Sequence, residues 1–177
     1  LAELKCTVFS PMDGAVCAWF DFGADSAIAF RSGMDGLPIT ENTGLPFCSQ
    51  HPGRMHACGH DGHMAILLEL ARRLDKKTQM PKNILLVFQP AEETNGGARD
   101  LCATGIFKKY QVEAIFGLLL WPELEEGCIA SRCDEMMSRA CEVRVDVLGR
   151  PVHVARAKSG LDAMSAGITF IQRSMAM

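Results

Sequence analysis

With 177 residues, 48% apolar and 22% charged, the chain carries enough nonpolar side chain for one hydrophobic core and part of a second domain. Eighteen basic against 21 acidic side chains leave a formal charge of -3, which gives no electrostatic ground for nucleic acid or an anionic membrane as partner and points to a small molecule. No apolar run reaches the about 18 residues of a membrane span, and residues 1–10 lack the basic start and apolar centre of a secretory signal, so a cytoplasmic location is expected.

In chain order, residues 27–31 (AIAFR) form a short apolar run that ends at a charge and a Ser-Gly pair, which predicts a buried strand delivering residues 32–38 into a loop. Residues 40–53, rich in Gly, Pro, Asn and Ser, predict a loop. From Asp61 the pattern changes: Met64, Leu67, Leu68, Ala71 and Leu74 recur at three and four residues, with Glu69, Arg72, Arg73 and Lys76 on the other side. That is the signature of an amphipathic helix, closed by Pro81. It places the histidine-rich stretch 56–63 at the helix amino end, where free N–H groups and the helix dipole favour anionic groups such as a thiolate.

Residues 83–89 (NILLVFQ) predict a fully buried strand, followed by Pro90 and two glutamates at a strand-to-loop junction. Residues 98–107 predict a second helix ending near Gly105, and residues 112–120 another buried strand. After Gly127 the texture becomes alternating: Cys141, Val143, Val145 and Val147 against Glu142, Arg144 and Asp146, which predicts a half-buried strand leading through Gly149 to His153 and a helix over 161–175. The alternation of strand and helix predicts an α/β fold with a mostly parallel central sheet flanked by helices, incomplete at its carboxyl end and followed by the start of a smaller α+β lid domain. The expected division is 1–137 for the catalytic, metal-binding part and 138–177 for the beginning of the lid. Ligands of such sheets gather at the carboxyl ends of the strands, where the motifs fall.

Eight cysteines without regular spacing do not form a disulfide framework. Cys6, Cys17, Cys48, Cys102, Cys128, Cys133 and Cys141 read as small core hydrophobes. Cys58 differs because Met55-His56-Ala57-Cys58-Gly59-His60-Asp61-Gly62-His63 gathers three histidines and a cysteine around glycines that allow a sharp turn. Thiolate and imidazole suit a divalent ion, and a ligating histidine needs an acceptor for its other ring nitrogen, for which Asp35 or Asp61 could serve. The plainer alternative is that the histidines only cap the following helix. Gln89-Pro90-Ala91-Glu92-Glu93 adds two carboxylates that point in different directions, one able to ligate and the other to face water as a proton acceptor.

Together the residues 31–39 (RSGMDGLPI), 55–63 (MHACGHDGH), 89–93 (QPAEE) and 149–153 (GRPVH) resemble, in order, the motifs of one metallo-amidohydrolase family of the aminoacylase and carboxypeptidase type. That family includes hippurate hydrolases, auxin-conjugate hydrolases, N-acetyl-diaminopimelate deacetylases and aminobenzoyl-glutamate hydrolases. The resemblance implies a divalent cofactor, zinc or manganese and up to two ions, with Cys58, His60 and Glu93 as ligands. It implies Glu92 as general base, Asp35 orienting a ligand, and His153 in a lid domain steadying the tetrahedral intermediate, commonly across a homodimer interface. The implied substrate is an N-acyl amino acid or a peptide-like amide, cleaved by metal-activated water.

The chain also departs from the family pattern. Leu119, in GLLLWP, stands where the family usually has a metal-binding histidine, the last ligand is expected beyond Met177, and Gly33 stands where the family usually has aspartate. A second expectation follows from these departures: a non-catalytic fragment or degenerate relative that keeps the fold and binds at most one ion weakly. A third, a Cys58 nucleophile activated by His60, would leave the paired glutamates without a role.

Overall fold

In the computed structural model, which describes residues 1–94, 96–137 and 143–176, the chain divides into two units, Leu1–Gly127 and Cys128–Met177. The first is built on one sheet of five strands: β1 (Thr7–Phe9), β2 (Val16–Phe20), β3 (Ala27–Gly33), β4 (Asn83–Gln89) and β5 (Val112–Gly117), in the spatial order β1-β2-β4-β3-β5. Strand β3 pairs in parallel with both β4 and β5, while β2 runs antiparallel to β1 and β4. Four strands therefore point one way and only β2 opposes them. The α/β class is as expected, and the sheet is mixed because of the β1-β2 hairpin. The VCAWF run of β2, bounded by Gly14 and by Asp21 to Gly23, carries the strand signal that marks it.

All seven residues of β4 are buried, and its alternation divides the core. Ile84, Leu86 and Phe88 join Leu67, Ala71 and Leu74 of helix α1 (His60–Asp75) on one face. Leu85 and Val87 meet Leu101 of α2 (Gly97–Ala103) and Ile106 of α3 (Ile106–Lys109) on the other. Helices on both faces leave β4 no wet side, which is why its sequence is continuously apolar. The single helix expected over 98–107 is two short ones, because Gly105 adopts a left-handed φ of 75° that ends the first and caps the second. Strand β5 stops at Gly117 rather than at residue 120.

Helix α1 buries Leu67, Ala71 and Leu74, each removal from water contributing about 1.5–3 kcal/mol for the larger side chains. Asp61 in its first turn and Arg72 and Arg73 in its last suit the helix dipole.

The described cysteines are free thiols. Cys17 is fully buried and Cys6 half-buried, but Cys48, Cys102, Cys128 and Cys133 are exposed, correcting their assignment to the core. Cys141 lies outside the described residues. Composition alone does not tell a cysteine of a surface turn from one in a strand. Burial pushes the Cys17 thiol from 9.0 up to about 11. A raised pKa means that the folded chain holds the proton more tightly. Its contribution is therefore fully present below pH 9 and lost as pH rises towards 11, about 2–3 kcal/mol in all. Urea unfolding is expected to show that decline, with a shallower slope between pH 9 and 11 in Cys17→Ala.

In the second unit, residues 143–149 form no strand, and Val143, Val145 and Val147 are exposed. This corrects the expected half-buried strand; its Cys141 and Glu142 lie outside the described residues. Alternation specifies a face, but a strand also needs a ladder partner, and none of the described residues supplies one beyond the isolated bridge between Arg150 and Leu161. A 3-10 segment (Val154–Ser159) precedes α4 (Ala163–Met175), which begins two residues later than expected because Asp162 caps it, accepting from the N–H groups of Met164 and Ser165. No helix of the described residues is long and apolar enough to cross a membrane.

Candidate metal centre

The parallel pairing of β3 and β4 places Gly33 opposite Gln89, and the Met34 N–H donates to the Gln89 carbonyl at 2.9 Å. The chain therefore leaves both strands side by side, and Asp35 emerges next to Glu92 and Glu93. The Glu93 N–H donates to Asp35 Oδ2 at 2.9 Å. Across from them, Gly59 takes a left-handed φ of 74°, and α1 starts at His60. A side chain with a Cβ would be strained at that turn.

His60 is buried, and its Nδ1 donates to the Asp35 carbonyl oxygen at 2.9 Å. A carbonyl can only accept, so this bond fixes the proton on Nδ1 and leaves Nε2 for a cation. Between the two aspartates considered, the partner is Asp35, through its backbone; its Oδ1 is 3.4 Å from the same nitrogen. His60 Nε2 lies 3.6 Å from Glu92 Oε2 and 3.9 Å from Glu93 Oε1. Among the described residues, His60, Glu92 and Glu93 form a cluster whose ligand atoms lie within 4.8 Å of one another.

These residues fit a divalent ion. A tetrahedral ion with bonds of about 2.1 Å holds its donors about 3.4 Å apart, close to the spacings found. Asp35 Oδ1 and Glu93 Oε1 are buried without a hydrogen-bond partner, and Glu93 Oε1 is the oxygen that faces His60. Burying an unpartnered carboxylate oxygen is costly, and a cation relieves it. Burial pushes the Asp35 carboxyl up, but N–H groups of Glu93, Glu92 and its own residue outweigh this, with His60 adding to them, and hold it below the usual range.

Cys58 is exposed and stands outside the compact cluster. Hydrogen bonding to the Glu93 carboxylate pushes its thiol up to about 11, ahead of desolvation and the charges of Glu93, Glu92 and Asp35. The helix terminus by itself favours a thiolate, and in the metal-free chain the nearby carboxylates outweigh it. Glu92, which the resemblance makes the general base and not a ligand, is as near to His60 Nε2 as Glu93 is.

The other histidines of the motif hold the backbone. His56 Nε2 is 3.1 Å from the Met34 carbonyl oxygen. His63, buried, accepts the Leu120 N–H on Nε2 at 2.9 Å and so ties the segment after β5 to α1. Desolvation, then the charges of His60 and Arg31, lower its pKa, which keeps the ring neutral and able to accept. Leu119, in that tied segment, offers no donor. His153 belongs to the second unit, where it is exposed and its Nδ1 accepts the Ala155 N–H, capping the 3-10 segment.

Arg31 and Gln89 were not singled out by sequence. Arg31 Nε donates to Gln89 Oε1 at 2.8 Å, and a terminal nitrogen lies 3.8 Å from Glu92 Oε1. A charge at the end of an apolar strand is the signal that could have found Arg31. A cavity of about 580 Å³, lined in part by Arg31, Gln89, Glu92 and Arg99, opens beside the Glu92 carboxylate.

A strand-end centre of imidazole and paired carboxylates on an α/β sheet has the donor set of a divalent-ion site, and comparison with known proteins gives the family. The profile of peptidase family M20/M25/M40 matches residues 29–172, and the chain belongs to this family. It is 42% identical over 146 residues to an N-acetyldiaminopimelate deacetylase of Exiguobacterium sibiricum, covering 82% of this chain and 39% of that protein. It is 39% identical over 163 residues to an uncharacterized hydrolase of Staphylococcus aureus, covering 90% and 43%. Among solved structures, it resembles a Bacillus subtilis dinuclear metal-binding peptidase of the M20 family, with a TM-score of 0.65 and 37% identity over 70% of this chain and 35% of the other. It also resembles a putative aminohydrolase of methicillin-resistant Staphylococcus aureus, with a TM-score of 0.78 and 26% identity over 97% and 46%. The chain spans about two fifths of the length of the curated relatives it matches.

Proposed function

We propose that this chain carries the ion-binding part of a metal-dependent amidohydrolase that cleaves an N-acyl amino acid or peptide-like amide. The convergence of His60 Nε2 with one oxygen each of Glu92 and Glu93, one of them buried and unpartnered, supports this reading. The resemblance to a deacetylase favours a small N-acyl group on a substrate that carries a carboxylate. A divalent ion bound there, zinc or manganese, supplies Lewis-acid chemistry, polarising a carbonyl oxygen and making water a nucleophile at neutral pH.

His60, Glu93 and, as a thiolate, Cys58 would hold the ion, and Asp35 fixes the His60 ring through Nδ1. Glu92, beside the cavity and the Arg31 guanidinium, takes a proton from water and passes it to the leaving amine nitrogen. His153, in a lid domain beginning near residue 138, donates to the developing oxyanion, and that domain forms a homodimer interface in the cytoplasm.

Leu119 favours a second reading, a chain that binds one ion and does not turn over. Titration of the metal-free chain with zinc, followed by calorimetry and elemental analysis, tests the ion site, and release of acetate separates the two readings. One ion per chain is expected for the wild type and a second in Leu119→His. Release of acetate from an N-acetyl amino acid by the wild type would support the hydrolase, and release only by Leu119→His the degenerate relative. No ion bound by either protein would refute both.

A further inference from the structure

Both site glutamates follow a strained turn. Ala91 holds a left-handed φ of 53°, which is costly for a residue with a Cβ and persists only where its surroundings hold it. Gly97 of α2 stands against that turn: a Cβ there would overlap the Pro90 carbonyl oxygen and lie 2.8 Å from the Ala91 carbonyl oxygen and 3.0 Å from its carbon. We propose that the bare α-carbon of Gly97 lets α2 brace the Pro90–Ala91 turn, making Gly97 a positioning residue for Glu92 and Glu93.

Gly97 is not needed for its backbone: it is the first residue of α2 and has no positive φ, so alanine is conformationally acceptable and acts only through contact. With a side chain there, the Ala91 carbonyl oxygen must move from 2.8 Å to the 3.4 Å at which ordinary contact begins, about 0.6 Å, and that of Pro90 must move farther. Neither side can yield freely. Gly97 is buried, and Leu101 anchors α2 against Leu85 and Val87 of β4. The turn is pinned at both ends, where the Gln89 carbonyl accepts the Met34 N–H at 2.9 Å and Asp35 Oδ2 accepts the Glu93 N–H at 2.9 Å. A displacement at Pro90 and Ala91 therefore passes to the two carboxylates, whereas ligand distances tolerate only about 0.2 Å. The bracing of the turn is independent of the proposed function; its consequence for ion binding rests on that function.

The test compares the wild type with Gly97→Ala and Gly117→Ala. Gly117 lies opposite Arg31 on β5, lacks a positive φ, and has nothing within 4 Å of an added Cβ. In the metal-free wild type, NMR is expected to show nuclear Overhauser contacts between the Gly97 α-protons and protons of Pro90 or Ala91. Gly97→Ala is expected to shift the Glu93 amide resonance and speed its exchange with solvent, to leave the Leu86 amide of β4 unmoved, and to weaken zinc binding about 10–100-fold in calorimetry. Absence of the Gly97 contacts in the wild type overturns the proposal. So do an unmoved Glu93 amide in Gly97→Ala, or an equal loss of zinc affinity in Gly117→Ala. If Gly97→Ala does not fold, its combination with Ala91→Gly, which frees the turn to move away from the new methyl group, is expected to fold and to bind zinc about 10–100-fold more weakly. Wild-type zinc affinity in that double variant overturns the proposal. If the Glu93 amide moves but the wild type binds no zinc, the positioning stands and the ion reading falls.

Discussion

Glu93→Gln is expected to lower zinc affinity by more than about 100-fold while leaving the chain folded. The substitution keeps the shape of the side chain and removes the anionic donor whose Oε1 is buried, unpartnered and 3.9 Å from His60 Nε2. Loss of a neighbour that merely orients a ligand already costs about 10–100-fold, and loss of the donor itself costs more. The same change has a second, metal-free readout. Hydrogen bonding to Glu93 is the leading reason that the Cys58 thiol stands at about 11, and its removal frees thiolate. Iodoacetamide labelling of Cys58 at pH 8, followed by peptide mass mapping, is expected to accelerate by about tenfold or more, because the thiolate fraction rises as the pKa falls. Unchanged labelling together with unchanged zinc affinity would show that Glu93 does not face this site in solution.

Leu86→Ala is expected to have the largest effect on stability, about 2–5 kcal/mol in urea unfolding. Leu86 is fully buried at the middle of β4, paired with Ala18 of β2 and Phe30 of β3, and it belongs to the cluster that includes Leu67 and Ala71 of α1. Truncation leaves a void that four elements cannot close together. Ile66→Ala on the exposed side of α1, where the side chain is 44% exposed, is the control and is expected to cost less than about 1 kcal/mol. A comparable loss in the two variants would mean that β4 is not the centre of the core. Zinc affinity is expected to fall with Leu86→Ala as well, since β4 is the strand that delivers Glu92 and Glu93 next to Asp35.

Much of this architecture was readable along the chain. Asn83–Gln89 was placed to the residue because a strand covered on both faces must be apolar at every position, and α1 was placed because one buried face leaves a period of three and four. The hairpin of β1 and β2 was not placed, although β2 carries a strand signal, because β1 is three residues long and its burial depends on a neighbour. The alternation at 143–149 failed in the opposite way, with a strand-like pattern and no ladder partner among the described residues. His60, Glu92, Glu93 and Asp35 were legible as site residues from their types and motifs. The roles of Arg31 and Gln89 were not, since they arise where β3 and β4 lie side by side.

The sequence alone determined the family, the α/β class and the donor chemistry, because apolar periodicity and the ordered motifs are properties of neighbours along the chain. Only the tertiary structure decided which donors meet. The parallel register of β3 and β4 brings Asp35 to Glu93 over 58 residues of sequence. Distances of a few ångströms between segments remote in sequence follow from how side chains exclude one another in a packed core, and no local pattern encodes them.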